Sequence, residues 1–552
     1  MTGNWTGYAI PEAPTDYEAL RDGFTWQIPE TYNIAAVALD GDPDAVALRH
    51  VPDQGSAAAV SGPTRTLTYG DLASASAAVS LRLAADGVTP GDRIAVCLPQ
   101  CPEQVVVHLA AYRLGAVVVP VSMLLGDGAF DHQLTHAEPS TLFVDERRWD
   151  RADLNRIRRP ETTVTVRVDA DRSALGGLSR FASDAPGAAA PPMAETAPED
   201  PALVLYTSGT SSDPKGVVQG HQYLLGSMPG YHCWYDLFDP EAAAAARVWT
   251  PSEWAWAGAL FDVVFPTLAV GGTVVSSVRR RGFDPDRALD VVEHQRVSHA
   301  FLPPTALRKL RESTTPSTDR AASLSVVMSG GEPLPDAVAT WAEETLGVQV
   351  NDAYGQTEAN ALAGEAQSVY PRVGDGLGRP YPGHEVAVVD DDGDPVADGE
   401  VGEIAVARPD PVVMVGYLDD PDATQAVLDD RWLGTGDLGR VAADGTLEHL
   451  GRADELVVSS GYRISPLEVE SVLTDHPSVA AALVRGEPDP ERGQRVVASV
   501  VLTGEVSGDE DLKGTLRDAV ADQLGAHKRP HAVEFVSDLT TTRTGKTDRS
   551  GT

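Results

Sequence analysis

The stretch Tyr206-Thr207-Ser208-Gly209-Thr210-Ser211-Ser212-Asp213-Pro214-Lys215-Gly216 carries the strongest chemical signal in the chain. Glycines and small hydroxyl residues let backbone N–H groups and Oγ atoms converge on phosphate oxygens, and a lysine adds a mobile point charge. The lysine lies six residues after Gly209, and a glycine follows it where a Walker loop has its magnesium-binding Ser or Thr. A P-loop hydrolase therefore fails on spacing. Three other groupings are weaker. His132 and His136 are four apart and can share a helix face, but they lack the Glu of a zinc protease. Cys97 and Cys101 do not have zinc-site spacing, and with Cys233 they read as small buried hydrophobes of an intracellular protein. Arg279-Arg280-Arg281 reads as a solvated or paired surface run.

The elements that must position the loop are legible around it. Arg93 to Leu98 reads as a buried strand, Glu103 to Leu114 as a helix, and Val117 to Pro120 as the next strand. Repeats of this kind imply a parallel sheet covered on both faces. A Pro/Ala-rich surface connection over 183–201 then delivers the chain to an apolar strand, Ala202 to Tyr206, which feeds the loop. A second α/β stretch covers about 202–365. From about 374 the pattern changes to short strands and acidic turns, such as His384 to Val389 and Gly402 to Val406. After Gly451-Arg452 it changes again: a helix from Pro466 to Leu473, strands at Val479 to Val484 and Arg495 to Leu502, and a helix from Asp511 to Leu524.

Composition bounds the partners. The 552 residues carry 81 Asp and Glu against 43 Lys and Arg, a net charge of −38. Such a chain is repelled by nucleic acid and by anionic membrane surfaces. Screening at high salt relieves the self-repulsion, so the acidity reads as adaptation to a saline cytoplasm. Only five lysines occur, Lys215, Lys309, Lys513, Lys528 and Lys546. The N-terminus has neither the basic start nor the apolar core of a signal peptide. The most apolar stretch, Val105 to Leu125, is broken by His108, Arg113 and Pro120, too interrupted for a membrane span.

The loop resembles the phosphate loop of the adenylate-forming superfamily, which includes acyl-CoA synthetases, luciferases and peptide-synthetase adenylation domains. Four further motifs agree in order: Tyr354-Gly355-Gln356-Thr357-Glu358, Gly434-Thr435-Gly436-Asp437, Gly451-Arg452-Ala453-Asp454 and Thr544-Gly545-Lys546. Within the superfamily the likeness is closest to medium-chain acyl-CoA synthetases, through Ser459 to Glu470, Pro488 to Gly493 and Leu377 to Gly383. The resemblance implies an α/β fold: a large N-terminal adenylation domain, 1–451, of stacked α/β subdomains plus a small β unit. A smaller, mobile α+β C-terminal domain, 452–552, follows, with a hinge near Asp454.

The reaction implied is attack of a carboxylate on the α-phosphorus of ATP, giving acyl-adenylate and pyrophosphate, then displacement of AMP by the thiol of coenzyme A. Thr207, Ser208, Gly209, Thr210 and Ser211 with Lys215 are implied to hold the β- and γ-phosphates. Glu358 is the implied magnesium ligand, and Thr357 the donor to the α-phosphate. Tyr354 is implied to stack on adenine, which Gly331, Glu332 and Pro333 line; Asp352, Ala353, Gly355 and Gln356 complete the nucleotide signature. Asp437 is the implied ribose clamp, with Arg452 on the same ribose and Arg463 on the α-phosphate. Lys546 is implied to bridge the attacking carboxylate and the α-phosphate, neutralising charge between two anions. Thr207, Glu358 and Lys546 are thus the expected catalytic residues. The coenzyme A path is implied at Ser460, Gly461, Tyr462 and Arg492, where Gly461 leaves room for pantetheine.

Trp254, Trp256, Gly258 and His221 are expected around the acyl group. Glycine at Gly355, where acetate-specific relatives have tryptophan, favours an acyl group larger than acetyl: medium-chain, branched or aromatic. The expected ligands are ATP, Mg2+, coenzyme A and a small carboxylic acid, in a cytoplasmic ligase of fatty acid metabolism. The lysine loop departs from the usual pattern, reading Thr540-Thr541-Thr542-Arg543-Thr544-Gly545-Lys546-Thr547-Asp548, and the usual basic final helix is missing before Thr552. Alternatives stay open: an adenylating enzyme with another acceptor, an acetyl- or propionyl-CoA synthetase, or a nucleotide-binding protein that has lost catalysis. No carrier domain is seen after Lys546, which disfavours the peptide-synthetase type.

Overall fold

The computed structural model describes residues 7–52, 64–152, 157, 160–168, 175–183, 189–207, 214–278, 282–313, 318–372, 376–490, 492–504, 506 and 508–539. Among these residues the strands build four larger sheets and one two-stranded pair. The first α/β layer is a seven-stranded sheet. Its parallel part runs Pro201–Thr207, Val117–Pro120, Arg93–Cys97, Thr141–Asp145, Thr162–Val166, and Lys215–Gly220 and Gly416–Tyr417 extend it antiparallel at one edge. The expected strand, helix and strand around Cys97 are present, the helix spanning Pro102–Arg113 with its proline in the first turn, where a missing N–H costs nothing. That helix is buried almost all round, which is why its apolar residues show no single face.

The second layer is a nine-stranded sheet. Its parallel centre contains Gln349–Gln356, Val326–Gly330, His299–Phe301, Arg247–Trp249, Thr273–Ser277 and Val46–Val51. The hairpin arm Ala359–Gly364 closes one side antiparallel. The helix Gln222–Tyr235 carries thirteen buried residues and packs on this sheet, joining both layers in one apolar core. The 183–201 connection is less free than its composition suggests. Thr196 is buried, its Oγ donating to the Tyr32 carbonyl at 2.7 Å, and the Ala194 N–H donates to the Arg113 carbonyl.

The short strands after 374 form a four-stranded antiparallel sheet, Val386–Val389, Gly402–Ala407, Trp432–Val441 and Leu447–Arg452. Beyond them, Val457, Ile464, Val469, Leu473, Val484, Val496, Leu516 and Val520 make a separate apolar cluster. Here the helix Pro466–Thr474, capped by Ser465 Oγ, and the helix Glu510–Leu524, capped by Asp509, cover a five-stranded sheet. Its long hairpin, Val479–Asp489 with Gly493–Leu502, runs past the expected strand ends because the pairing continues to Asp489↔Gly493. Among the described residues no helix is long and apolar enough to cross a membrane.

Candidate active site

The glycine-rich loop lies between two antiparallel partner strands, Pro201–Thr207 and Lys215–Gly220. Thr207 and Lys215 are register partners at its mouth, so the strands fix both ends, while Ser208, Gly209, Thr210 and Ser211 lie outside the described residues. The Lys215 ammonium sits 4.7 Å from the ring centroid of Tyr417, over its face. A cation over an aromatic face is attracted by the ring quadrupole. Tyr417 reaches this position because Gly416–Tyr417 is the strand added beside Lys215–Gly220, with Val217 opposite Tyr417. Gly216 lets the side chains of the flanking strands close over it: a Cβ there would lie 2.9 Å from Val204 and 3.2 Å from Leu418.

The Tyr354–Glu358 segment forms the end of a second hairpin, between Gln349–Gln356 and Ala359–Gly364. Its turn is anchored from two sides: Gln219 Nε2 donates to the Thr357 carbonyl at 2.7 Å, and the Met414 N–H donates to the Glu358 carbonyl at 2.8 Å. The Tyr417 hydroxyl donates to Glu358 Oε1 at 2.9 Å. Lys215, Tyr417 and Glu358 therefore form one chain of contacts. Burial, then the Glu358 carboxylate, raise the Tyr417 hydroxyl above its ordinary range, so it stays a donor. Glu358 Oε2 accepts no hydrogen bond among the described residues. A partly exposed carboxylate with one oxygen uncommitted near Lys215 suits a hard divalent cation, so these residues fit magnesium.

Four residues before Glu358 on the same hairpin, the Tyr354 hydroxyl donates to Asp437 Oδ2 at 2.6 Å. Asp437 Oδ1 faces Arg452 Nη1 at 3.4 Å and His449 Nε2 at 3.7 Å. Burial alone would push the Asp437 carboxyl up; His449, Tyr354 and Arg452 outweigh it and hold the group below the usual carboxylate range. The strands arrange this directly, since Asp437 and Arg452 are opposite each other in the ladder. Gly436 adopts a φ of +73°, and a Cβ there would stand 2.9 Å from the Arg452 guanidinium. Arg452 also donates to the Thr435 carbonyl at 2.9 Å and pairs with Asp454 at 3.2 Å.

The remaining expected residues fall in several places. Gly331 follows the strand Val326–Gly330 with a φ of +85° and has nothing within 4 Å of its Cβ position. Glu332 is committed elsewhere: its Oε1 accepts from the Thr305 N–H at the start of the helix Pro304–Glu312, and Oε2 pairs with Arg308 at 3.3 Å. Pro333 continues that turn. Burial and the neighbouring Glu365 raise the Asp352 carboxyl well above its ordinary range, and Oδ1 accepts from the Ala353 N–H. Gln356 Nε2 donates to the Thr435 carbonyl at 3.4 Å. Gly355 packs its backbone against Ala361, whose N would lie 2.5 Å from a Cβ. Trp254 is buried, whereas Trp256 and Gly258 are partly exposed. His221 is a fully buried ring that accepts from the Ile34 N–H at 3.2 Å and packs edge-on against Tyr112. Burial lowers its pKa to about 4, which keeps it neutral.

Ser460 and Gly461 are the two central residues of a tight hairpin turn, with φ of +52° and +86°, and Tyr462 follows, exposed, 4.8 Å from the His527 ring. Arg492 meets this turn: its carbonyl accepts from the Ser460 N–H at 2.8 Å. Arg463 lies in the strand Tyr462–Ile464, opposite Val458. Lys546 lies outside the described residues. Of the weaker groupings, His136 Nδ1 is bonded to the Tyr206 hydroxyl at 2.8 Å, and its ring stacks on His132 with centroids 6.1 Å apart. Tyr417, His449 and the buried carboxylate Asp262 were invisible to motif reading. Each owes its position to a strand partner or a core contact that spacing along the chain does not encode.

The sequence model of the AMP-binding enzyme family matches residues 40–418, and that of the AMP-binding enzyme C-terminal domain matches residues 468–546. The chain is 33% identical over 486 residues to a feruloyl-CoA synthase of an Amycolatopsis species, covering 87% of this chain and 92% of that protein. It is 28% identical over 556 residues to the mitochondrial acyl-coenzyme A synthetase ACSM3 of Rattus norvegicus, covering 98% of this chain and 93% of that protein. ATP-bound MatB from Rhodopseudomonas palustris superposes with a TM-score of 0.79 at 26% identity, covering 94% of this chain and 97% of that one.

Proposed function

The chain belongs to the AMP-binding enzyme family, and from this we propose how its residues divide the work. It is an AMP-forming acid–thiol ligase, an acyl-CoA synthetase. A carboxylic acid is joined to the α-phosphate of ATP with release of pyrophosphate, and the thiol of coenzyme A then displaces AMP. Little covalent chemistry is asked of the protein, so positioning and charge stabilisation must lower the barrier.

One observation carries the assignment of roles. A line of side-chain contacts runs from Asp437 through Tyr354 and the turn of its hairpin to Glu358, Tyr417 and Lys215. That order matches a nucleotide laid from ribose to polyphosphate. In this reading Asp437, already ionised and flanked by Arg452, accepts from the ribose hydroxyls. Tyr354 fixes Asp437 and presents its ring to the base, beside Asp352, Ala353, Gly355, Gln356 and the Gly331–Pro333 turn. Thr207, Ser208, Gly209, Thr210, Ser211 and Lys215 take the β- and γ-phosphates, and Thr357 and Arg463 the α-phosphate. Magnesium, when bound, neutralises phosphate charge, and Glu358 is the residue that would hold it. Lys546 bridges the two reacting anions.

The fragment 452–552 is proposed to turn about Asp454 against 1–451 between the half-reactions, replacing Lys546 by the coenzyme A path of Ser460, Gly461, Tyr462 and Arg492. Trp254, Trp256, Gly258 and Gly355 are proposed to border an acyl site for a medium-chain, branched or aromatic acid. The three cysteines are buried and in no disulfide, which supports a reducing, cytoplasmic location, and the acidity supports work at high salt. The test is carboxylate-dependent ATP–pyrophosphate exchange over a panel of acids, followed by coenzyme A-dependent AMP release. No exchange with any acid at low or high salt would contradict the assignment; exchange without thioester would move the enzyme to another acceptor.

A further inference from the structure

Asp262 lies in one of the most apolar segments of the chain. The neighbouring residues Leu260, Phe261, Val263, Val264 and Phe265 are all buried, and Asp262 itself is only 4% exposed. One oxygen is satisfied: Oδ1 accepts from Asn360 Nδ2 at 2.6 Å. No donor among the described residues reaches Oδ2. A largely buried carboxyl costs free energy that an apolar residue of similar size would avoid. Burial, only partly offset by the Asn360 bond, raises its pKa to about 7.

The surroundings say where the second oxygen faces. A short helix, Ala257–Ala259, runs into a π-turn, Leu260–Val264, which places Asp262 over Gly258. A Cβ on Gly258 would stand 3.0 Å from Oδ2 and 3.1 Å from the Phe301 ring, so only glycine leaves this oxygen uncovered. Gly258 is itself partly exposed, which opens a route from solvent to Oδ2. π-turns inside helices occur frequently at functional sites. On the other side, Asn360 also donates to Ser227 Oγ at 3.4 Å and lies two residues beyond Glu358 on the nucleotide hairpin. Gly355 packs on the same Asn360–Ala361 backbone. The carboxyl is thus tied to the hairpin that carries the proposed phosphate-side residues.

We propose that Asp262, held by Asn360 and bared by Gly258, is the polar wall of the acyl site and selects carboxylic acids bearing a second hydrogen-bond donor, a hydroxyl or an amino group. The inference rests on the acyl-CoA synthetase reading and sharpens its substrate class. A site built to hydrogen-bond a substrate hydroxyl or amine rejects the analogue that lacks it far more strongly than an apolar pocket rejects an extra methylene. Asp262 is a specificity-determining residue and takes no part in the bond exchange.

The experiment measures kcat/KM for acid-dependent pyrophosphate exchange and for thioester formation with matched acids. The pairs are benzoate with its hydroxy- and amino-substituted forms, and pentanoate with 5-hydroxypentanoate. The wild-type enzyme should favour at least one donor-bearing acid over its unsubstituted parent by tenfold or more. Asp262→Leu should invert that ranking, and Asp262→Asn, which keeps the shape and one acceptor, should fall between. Melting temperatures of both variants confirm that they fold, and a merely structural role would lower both members of each pair together. Equal or better activity with every unsubstituted parent, or a proportional loss across each pair in Asp262→Leu, overturns the inference while leaving the ligase intact. Absence of exchange with any acid overturns the ligase reading and this inference with it.

Discussion

The Tyr354 hydroxyl donates to Asp437 Oδ2 at 2.6 Å across 83 residues of sequence, joining the nucleotide hairpin to the four-stranded sheet. This bond positions both residues at once. Hydrogen bonds to charged groups contribute about 1.5–3 kcal/mol. Tyr354→Phe should therefore raise the KM for ATP about tenfold or more while changing kcat little. A kcat loss with unchanged KM would place Tyr354 in the chemical step instead.

The bond between Tyr417 and Glu358 gives a second prediction. Groups that orient a metal ligand typically affect metal affinity by about 10–100-fold. Tyr417→Phe keeps the ring on Lys215 but releases Glu358, so the half-saturating magnesium concentration should rise about tenfold. Tyr417→Leu also removes the cation–ring contact and should weaken pyrophosphate binding as well. Magnesium titrations of exchange activity separate the two effects.

Asp262 makes stability depend on pH with a definite sign. Its folded pKa is raised to about 7, so between about pH 4 and 7 the folded state holds a proton that the unfolded chain has released. Stability therefore falls as pH rises through that window. Asp262→Asn lacks this penalty, so its melting temperature relative to wild type should increase from pH 5 to pH 8. A difference independent of pH would show that Asp262 does not titrate in this range.

The proposed place of Gly461 on the coenzyme A path gives a prediction that separates the half-reactions. Its φ of +86° disfavours any residue with a Cβ, although no atom stands within 4 Å of that position. Gly461→Val should reduce kcat/KM for coenzyme A at least tenfold while leaving acid-dependent exchange within about twofold. Parallel losses in both assays would remove Gly461 from the coenzyme A path.

The net charge predicts a salt response. At −38 the protein repels ATP and coenzyme A as well as itself, and screening shortens the Debye length from about 10 Å at 0.1 M to about 3 Å at 1 M salt. Activity should rise with KCl over that range. Equal activity in dilute buffer and in molar KCl would make the acidity incidental.

Local patterning revealed much of the fold. The strand at Arg93, the helix before Arg113 and the Ser465-capped helix at Pro466 all follow from period, glycine and cap signals within a few residues. The loop between Thr207 and Lys215 stood out because glycines, hydroxyls and one rare lysine are adjacent in sequence, and the strands on either side of it pair. Asp437 was legible only through its flanking glycines. Tyr417 and His449 were not, since ordinary residues acquire their roles by facing Glu358 and Asp437 across strands. Asp262 was hidden for the opposite reason: an acid in an apolar helix looks anomalous, and only Gly258 and Asn360 explain its place. His221, expected beside the acyl group, packs against Tyr112 and the Ile34 N–H, contacts no spacing argument contained.

The central claim is tested most directly by nucleotide product analysis with ATP, magnesium, coenzyme A and a panel of carboxylic acids, at low and high KCl. The account predicts one pyrophosphate for each AMP at turnover, with AMP and acyl thioester formed in equal amounts only when acid and coenzyme A are both present. Release of ADP and phosphate, or AMP formation independent of any acid, would contradict it.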